Sequence, residues 1–198
     1  MVVLKMSADL RRAATVEAVL GLAATNNPAE ITTSQIAASM GVTQGALFRH
    51  FADKEAIWSQ VFDWTADALF ERLDRVSGAS PIDVLRGIFT AHVDFVTEYW
   101  GVPRILFGEL QRPGDTPGKR KVRALMFAYR SRVTSLLEEA QSARQIRADL
   151  DSSVAATLLL GMIQGLVMQA MASDDAESVR EAAPRVFGLY LAGLGFSA

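Results

Sequence analysis

One segment of the sequence, residues 31–54 (ITTSQIAASMGVTQGALFRHFADK), constrains the possible fold more than any other. Ile36 and Met40 are one helical turn apart and give a short helix an apolar face. Gly41 can end that helix, because glycine readily adopts the left-handed conformation found at helix C-termini. Thr43 can then cap a second helix. The pattern predicts a helix-turn-helix, whose second helix commonly enters the major groove of DNA.

Capping residues flank this pattern on both sides. Thr32 or Thr33 can cap the first short helix, because a threonine hydroxyl accepts hydrogen bonds from free first-turn amides. Asp53 can cap a third helix in the same way. A similar pattern also occurs where two helices of an ordinary bundle meet, so further residues are needed to distinguish the two interpretations.

Those residues follow the spacing Ile36-Ala37, Gly41-Val42, Leu47, His50-Phe51 and Lys54. This order resembles the DNA-binding domain of the TetR family of transcriptional regulators. Members of that family carry I-A, then G-V-S/T, a small residue, L/I-Y-x-H-F and K-E. With the preceding helix, the resemblance covers about 45 residues.

The resemblance implies DNA contacts at the matched positions. Gln44 is the best candidate for reading a base, because its amide can pair with adenine N6 and N7. Gly45 allows a close approach of the backbone to DNA, and Arg49 could reach a guanine or a phosphate. Phe48 departs from the family, which usually has a tyrosine there with its hydroxyl on a phosphate. The predicted DNA-binding residues are Thr33, Thr43, Gln44, Gly45, Ala46, Phe48, Arg49, His50 and Lys54; among them Thr33, His50 and Lys54 match positions that hold the phosphate backbone.

Composition limits the other possibilities. The net charge is -2, and the first 55 residues hold five basic and five acidic side chains, which counts against strong non-specific DNA affinity. The chain has no cysteine and only two histidines, so it offers neither disulfides nor a thiolate metal site. Paired carboxylates at helical spacing inside an apolar stripe are also missing. We therefore predict no enzyme activity, no metal and no cofactor.

The location of the protein is predicted from its apolar segments. The first residues lack the long apolar stretch of a signal peptide. The most apolar run, residues 154–172, is interrupted by Thr157, Gln164 and Gln169, which counts against a membrane span. We expect a buried or subunit-interface helix there, no membrane, and a cytoplasmic protein.

Helical spacing recurs after the helix-turn-helix, and no segment alternates as a strand would. The sequence predicts an all-α protein of about nine helices. A DNA-binding domain would span residues 1–54, and a helical bundle for ligand binding and dimerisation would span residues 55–198. Residues 101–103 are expected to end one helix, and Pro184 predicts a kink or a late start in the last one.

The two apolar C-terminal helices carry Gly161, Gly165, Gly188 and Gly193. Small residues let helices approach closely, and the resemblance implies a homodimer built from this pair. Two-fold symmetry would place two recognition helices about 34–36 Å apart, so the operator should be palindromic. Alternatively, these glycines only adjust packing within one chain.

A ligand pocket is a further expectation of the resemblance, because mostly apolar cavities with few polar groups hold small molecules. Each apolar stripe could equally be plain core, and a lone histidine such as His92 is more often a satisfied core residue. The candidate pocket residues are Phe89, His92, Phe95, Val96, Tyr99, Trp100, Phe107, Phe127, Met162, Gln164 and Met168.

Residues 104–147 contain ten basic and four acidic side chains, a local excess of positive charge. A solvated helical face is one interpretation, and a site for an anionic effector or an acidic partner is the other.

The resemblance implies a dimeric repressor that leaves a palindromic double-stranded DNA operator when a small, largely apolar molecule binds. The alternative is a DNA-binding regulator with no small-molecule effector, controlled by a protein partner.

Overall fold

The computed structural model describes residues 8–196, so the first residues of the predicted 1–54 domain and the last two of the predicted 55–198 domain lie outside the described range. The described residues form nine α-helices and one 3-10 turn at Pro28–Glu30, which confirms the predicted all-α class. The helices are α1 (Ala8–Thr25), α2 (Thr33–Ser39), α3 (Gln44–Leu47), α4 (Lys54–Asp74), α5 (Pro81–Glu98), α6 (Gly101–Gln111), α7 (Pro117–Ser142), α8 (Ser152–Ser173) and α9 (Ser178–Gly193).

The helix-turn-helix is held by its capping residues. Thr32, rather than Thr33, caps α2: its hydroxyl oxygen accepts from the Gln35 amide at 3.2 Å, and Gln35 Oε1 accepts from the Thr32 amide at 2.8 Å. This reciprocal pair is a capping box. Gly41 has a φ of +65°, which a residue with a Cβ rarely adopts. Thr43 caps α3 by accepting from the Ala46 amide at 3.2 Å.

The helices group into two compact units. Unit 1 comprises the described residues 8–67 and 99–122, in which α6 packs on α1 and α1 packs on α2. Unit 2 comprises residues 68–98 and 123–196, in which α9 packs on both α5 and α8. Within unit 2 the Tyr190 hydroxyl donates to the Ala155 carbonyl at 2.9 Å, which ties α9 to α8. The boundary between a DNA-binding domain of residues 1–54 and a ligand-binding and dimerisation domain of residues 55–198 stays a prediction.

The structure differs from one predicted helix boundary and removes one of the two alternatives predicted at Pro184. Residues 101–103 form the first turn of α6 instead of ending α5, and a proline is tolerated there because first-turn amides need no intrahelical acceptor. Helix α9 begins at Ser178 and continues through Pro184, so the proline does not set its start.

Gly101 lies where α6 contacts α1 in unit 1. A Cβ at this position would overlap the Leu20 carbonyl oxygen of α1 and lie 3.2 Å from the Ala23 Cβ. Leu20 and Ala23 are themselves buried. The missing side chain therefore lets α6 lie directly on α1, which in turn packs on α2 of the helix-turn-helix.

We expect Gly101→Ala to destabilise the protein by about 1–3 kcal/mol, because α6 must move away from α1 to admit the methyl group. Gly21→Ala is the matched control in α1, since a Cβ there meets nothing within 4 Å. It should leave stability unchanged or raise it by up to about 1 kcal/mol, because alanine favours helices. Urea unfolding followed by circular dichroism measures both; equal midpoints for Gly101→Ala and the unmodified chain would contradict the packing argument.

Candidate functional site

The predicted base-reading residues share an exposed surface at α3. Thr43, Gln44, Gly45, Phe48 and Arg49 are exposed, and Phe48 retains 41% of its surface accessibility. The opposite side of the motif is apolar and buried. It consists of Ile36, Ala37 and Leu47. Burial of one face therefore leaves the other face, with the predicted readers, open to solvent.

The predicted phosphate contacts lie around this surface. Thr33 is the first residue of α2 and Lys54 the first residue of α4, and both are half-buried, as are Ala46 and His50. Asp53 caps α4 by accepting from the Ala56 amide at 2.8 Å, as the sequence indicated.

Three cationic or potentially cationic side chains of this surface have no acidic partner. Among the ion pairs of residues 8–196, none involves Arg49, His50 or Lys54. Unpaired basic groups can contact phosphate oxygens without first breaking an internal ion pair. The arrangement suits binding to a polyanion even though the whole chain is slightly acidic.

Two residues predicted to have separate tasks are in contact. The Gln44 side-chain amide donates a hydrogen bond to the Thr33 hydroxyl oxygen, with 2.6 Å between Nε2 and Oγ1. The bond joins the start of α2 to the start of α3. Sequence reasoning missed it, because side chains eleven positions apart meet only through the angle of the turn.

The predicted pocket residues divide between the two units. Tyr99, Trp100 and Phe107 belong to unit 1, and the other eight belong to unit 2. In unit 2, Phe89, Phe95 and Val96 of α5 are buried, and Phe89 stacks at 4.7 Å from the Phe187 ring of α9. His92, Met162 and Gln164 are half-buried. Phe127 and Met168 are surface residues of the single chain, 63% and 53% exposed.

A polar pair lies between α5 and α7 in unit 2, with Tyr129 buried and His92 half-buried. The rings of His92 on α5 and Tyr129 on α7 meet edge to face, with centroids 5.0 Å apart. His92 Nδ1 and Tyr129 Oη are both buried, and neither has a hydrogen-bond partner among the described residues. An unsatisfied buried polar group costs about 1–3 kcal/mol, so a water or ligand that bonded to either atom would stabilise the folded chain.

Burial also shifts the titration of this pair. It lowers the pKa of His92 to about 4, because the charged imidazolium is poorly solvated there. Burial raises the pKa of Tyr129, and the charge of Arg132 opposes that rise only in part. Both rings are therefore neutral at pH 7. Sequence reasoning missed Tyr129, although its spacing with Leu125 and Val133 on α7 could have indicated that it points inward.

Much of the positive charge in residues 104–147 is neutralised within the chain. At least five of the ten basic side chains form ion pairs with described residues, among them Arg112, Arg120, Lys121, Arg132 and Arg147. Arg112 pairs with Glu55 and with Glu109, a buried carboxylate that also accepts from the Thr116 hydroxyl. This pairing favours a solvated, internally balanced surface over a site for a large anion.

The exposed α3 surface on a capped helix-turn-helix defines a DNA-binding regulator. Residues 16–61 match the family described as bacterial regulatory proteins, tetR family, and residues 112–186 match the tetracyclin repressor-like C-terminal domain. The chain belongs to the TetR family of transcriptional regulators, so the resemblance found in the sequence is confirmed.

Curated relatives and solved structures agree with this assignment. The nucleoid occlusion factor SlmA of Idiomarina loihiensis is 25% identical over 166 residues, which are 83% of this chain and 85% of SlmA. The ketosteroid transcriptional regulator KstR2 of Mycobacterium tuberculosis has a TM-score of 0.79 at 21% identity, covering 95% of this chain and 96% of that one. The regulator FadR of Bacillus subtilis, solved with stearoyl-CoA, has a TM-score of 0.75 at 19% identity, covering 91% and 98%.

For DNA recognition we expect two different effects from two alanine variants. Gln44→Ala should cost about 1–3 kcal/mol at one base pair of each half-site, because a bidentate base contact is lost. Lys54→Ala should weaken binding to all sequences alike. The slope of log affinity against log salt concentration should fall by about one, because one phosphate contact would be lost. Fluorescence anisotropy at several salt concentrations, on specific and random duplexes, separates the two. Equal losses on both duplexes for Gln44→Ala would contradict a base-reading role.

For the buried pair we expect the folded chain to lose stability at acidic pH because of His92. The pKa of His92 is about 4 in the folded chain and about 6.5 in the unfolded chain. As the pH falls, His92 therefore binds a proton first in the unfolded state. The free energy of unfolding should decrease by up to about 3 kcal/mol between pH 6.5 and 4, then level off. Tyr129 stays neutral in this range. Urea unfolding of the unmodified chain and of His92→Phe at both pH values gives the contribution; a pH-independent difference between them would contradict it.

Proposed function

We propose that this protein is a cytoplasmic homodimeric repressor that binds a palindromic operator and is released by a small, largely apolar ligand. The observation that carries the proposal is an apolar surface on α8 and α9 that one chain leaves uncovered. Dimerisation, operator symmetry and ligand control follow from it in turn.

The uncovered surface follows the helical repeat of α8. Val154, Leu158 and Met168 are 64%, 56% and 53% exposed, and Gly161 and Gly165 continue the same stripe. On α9, Leu189 is 76% exposed and lies beside Gly188. Exposed apolar patches of this kind mark interaction sites.

The glycines distinguish between the two interpretations of this surface. A Cβ built on Gly161, Gly165, Gly188 or Gly193 meets nothing within 4 Å. Packing within one chain therefore does not require glycine at any of these positions. A partner helix that approaches closely would require small residues there. This supports a second copy of the chain as the partner.

Helix α8 also passes, by length and composition alone, as a helix that could cross a membrane, and a third of its apolar window is buried in the chain. Its buried side packs on α9 and α5 within unit 2. Together with the open glycines, this favours a helix whose remaining apolar surface pairs with a second copy, so the proposal includes no membrane.

The DNA part of the proposal depends on the dimer. Each chain offers a short reading surface around Gln44 and few unpaired cations, which supports only modest affinity for one half-site. A two-fold dimer presents two such surfaces about 34–36 Å apart and requires both half-sites in the correct geometry.

Ligand control needs a molecule that binds the DNA-incompetent arrangement better than the competent one. A coupling of about 1–3 kcal/mol would change DNA affinity about 5–150-fold. The polar pair of His92 and Tyr129 supports a ligand site in unit 2, because it lacks internal partners. Helix α4 is the proposed lever, since its residues 54–67 belong to unit 1 and residues 68–74 to unit 2. The stearoyl-CoA bound to FadR supports an apolar class of ligand.

The alternative of a protein partner is supported by the similarity to the nucleoid occlusion factor SlmA. A thermal-shift screen with apolar and aromatic metabolites, stearoyl-CoA included, separates the two. A compound that raises the melting temperature and releases DNA supports the ligand hypothesis. If no compound does either, the protein-partner hypothesis is favoured.

The main test is selection of bound fragments from a random DNA library. We expect a palindrome with half-sites about one helical turn apart for the unmodified chain. Leu189→Glu places a charge on the proposed dimer surface. Light scattering should therefore show a monomer, and this folded variant should lose affinity for the palindrome. Ser135→Glu, on an exposed position of α7, is the control and should remain dimeric. A dimer that tolerates Leu189→Glu, or a selected site without symmetry, would refute this arrangement.

A further inference from the structure

We propose that Thr33 is a positioning residue for base readout: its hydroxyl oxygen holds the Gln44 amide, while its hydroxyl proton donates to a DNA phosphate. The inference rests on the proposed operator binding and adds to it a link between one backbone contact and one base contact. The resemblance to the family implied only a phosphate contact for Thr33.

The structure shows which threonine is free for this task. The only hydroxyl proton of Thr32 is already used, because it is donated to Gln35 Oε1 at 2.9 Å, while the Thr32 oxygen accepts from the Gln35 backbone amide at 3.2 Å. Thr33 is the first residue of α2 and has no part in this capping box. Its oxygen instead accepts the hydrogen bond from Gln44 Nε2 at 2.6 Å.

The hydrogen-bonding capacity of both groups fits a combined role. A glutamine amide has two N–H donors and one carbonyl oxygen, and the bond to Thr33 uses only one donor. The second donor and Oε1 remain, and they are the pair that adenine N7 and N6 require. A threonine hydroxyl that accepts a bond keeps its own proton, which a phosphate oxygen can then accept.

The link has a physical benefit for recognition. Gln44 is exposed, and a free glutamine side chain loses rotamer freedom when it binds a base. A bond to Thr33 restricts the amide before DNA arrives, so less freedom is lost on binding. Donation to a phosphate would also polarise the hydroxyl and strengthen the bond from Gln44. Phosphate contact and base reading would then support each other.

The test uses the full chain and three duplexes: the sequence that the unmodified chain selects, the same sequence with the Gln44-dependent base pair replaced, and a random sequence. Thr33→Val removes the hydroxyl at nearly constant shape, and Thr33→Ser retains it. Thermal melting checks that each variant folds, which is expected because Thr32 keeps the cap of α2.

We expect Thr33→Val to reduce discrimination between the selected and the replaced duplex by at least about five-fold. Thr33→Ser keeps the hydroxyl, so it should discriminate between the two duplexes as well as the unmodified chain does. In a double-mutant cycle with Gln44→Ala, the losses should be clearly less than additive, because both changes remove the same oriented amide.

Two outcomes would overturn the inference while leaving operator binding intact. An equal loss on all three duplexes, additive with Gln44→Ala, would make Thr33 a phosphate anchor alone. Unchanged discrimination in Thr33→Val would show that the bond does not matter for readout. If the unmodified chain selects no common sequence, the proposed operator binding itself fails, and the inference fails with it.

Discussion

Helices α2 and α3 can carry a recognition surface only because the chain between them turns sharply at Gly41. The left-handed φ of +65° lets the chain leave α2, and Thr43 caps α3 two residues later. The capping box at Thr32 satisfies amides at the other end of α2. With these ends fixed, Ile36 and Leu47 are buried, and the polar side of α3 is directed to solvent. The predicted DNA contacts lie on this surface.

The attraction of this surface for DNA comes from a few local side chains and not from the charge of the whole chain. The net charge is -2, and at least half of the basic side chains in residues 104–147 are paired with acids of the same chain. The unpaired groups Arg49, His50 and Lys54 therefore provide a local rather than a global attraction for DNA. In the proposed dimer, the geometry set by the uncovered surface of α8 and α9 would therefore add to this local attraction.

Local patterns predicted the local structure well, and the reasons are specific. The class, the helices around the motif and the caps at Thr43 and Asp53 depend on side chains within four residues of each other. Whether Thr32 or Thr33 caps α2 remained open, because both hydroxyls fit the pattern. The first turn of α6 was misread because Gly101 and its neighbouring proline usually interrupt helices, whereas here Gly101 admits the backbone of α1.

The candidate pocket was less predictable, since apolar periodicity does not say what faces a helix. Phe127 and Met168 shared that periodicity with Phe95, yet the first two are exposed and the last is buried. Tyr129 was missed because its partner, His92, lies on another helix. Ion pairs such as that between Arg112 and Glu109 likewise neutralise part of the charge of a basic stretch.

The sequence by itself determined the helix-turn-helix, the family and the helical class, because caps, turns and apolar repeats are short-range properties of the chain. Only the tertiary structure decided which threonine is free to hold Gln44, which glycines face open space, and which polar groups are buried without a partner. These depend on contacts between helices that are distant in sequence, and such contacts arise only when the helices pack.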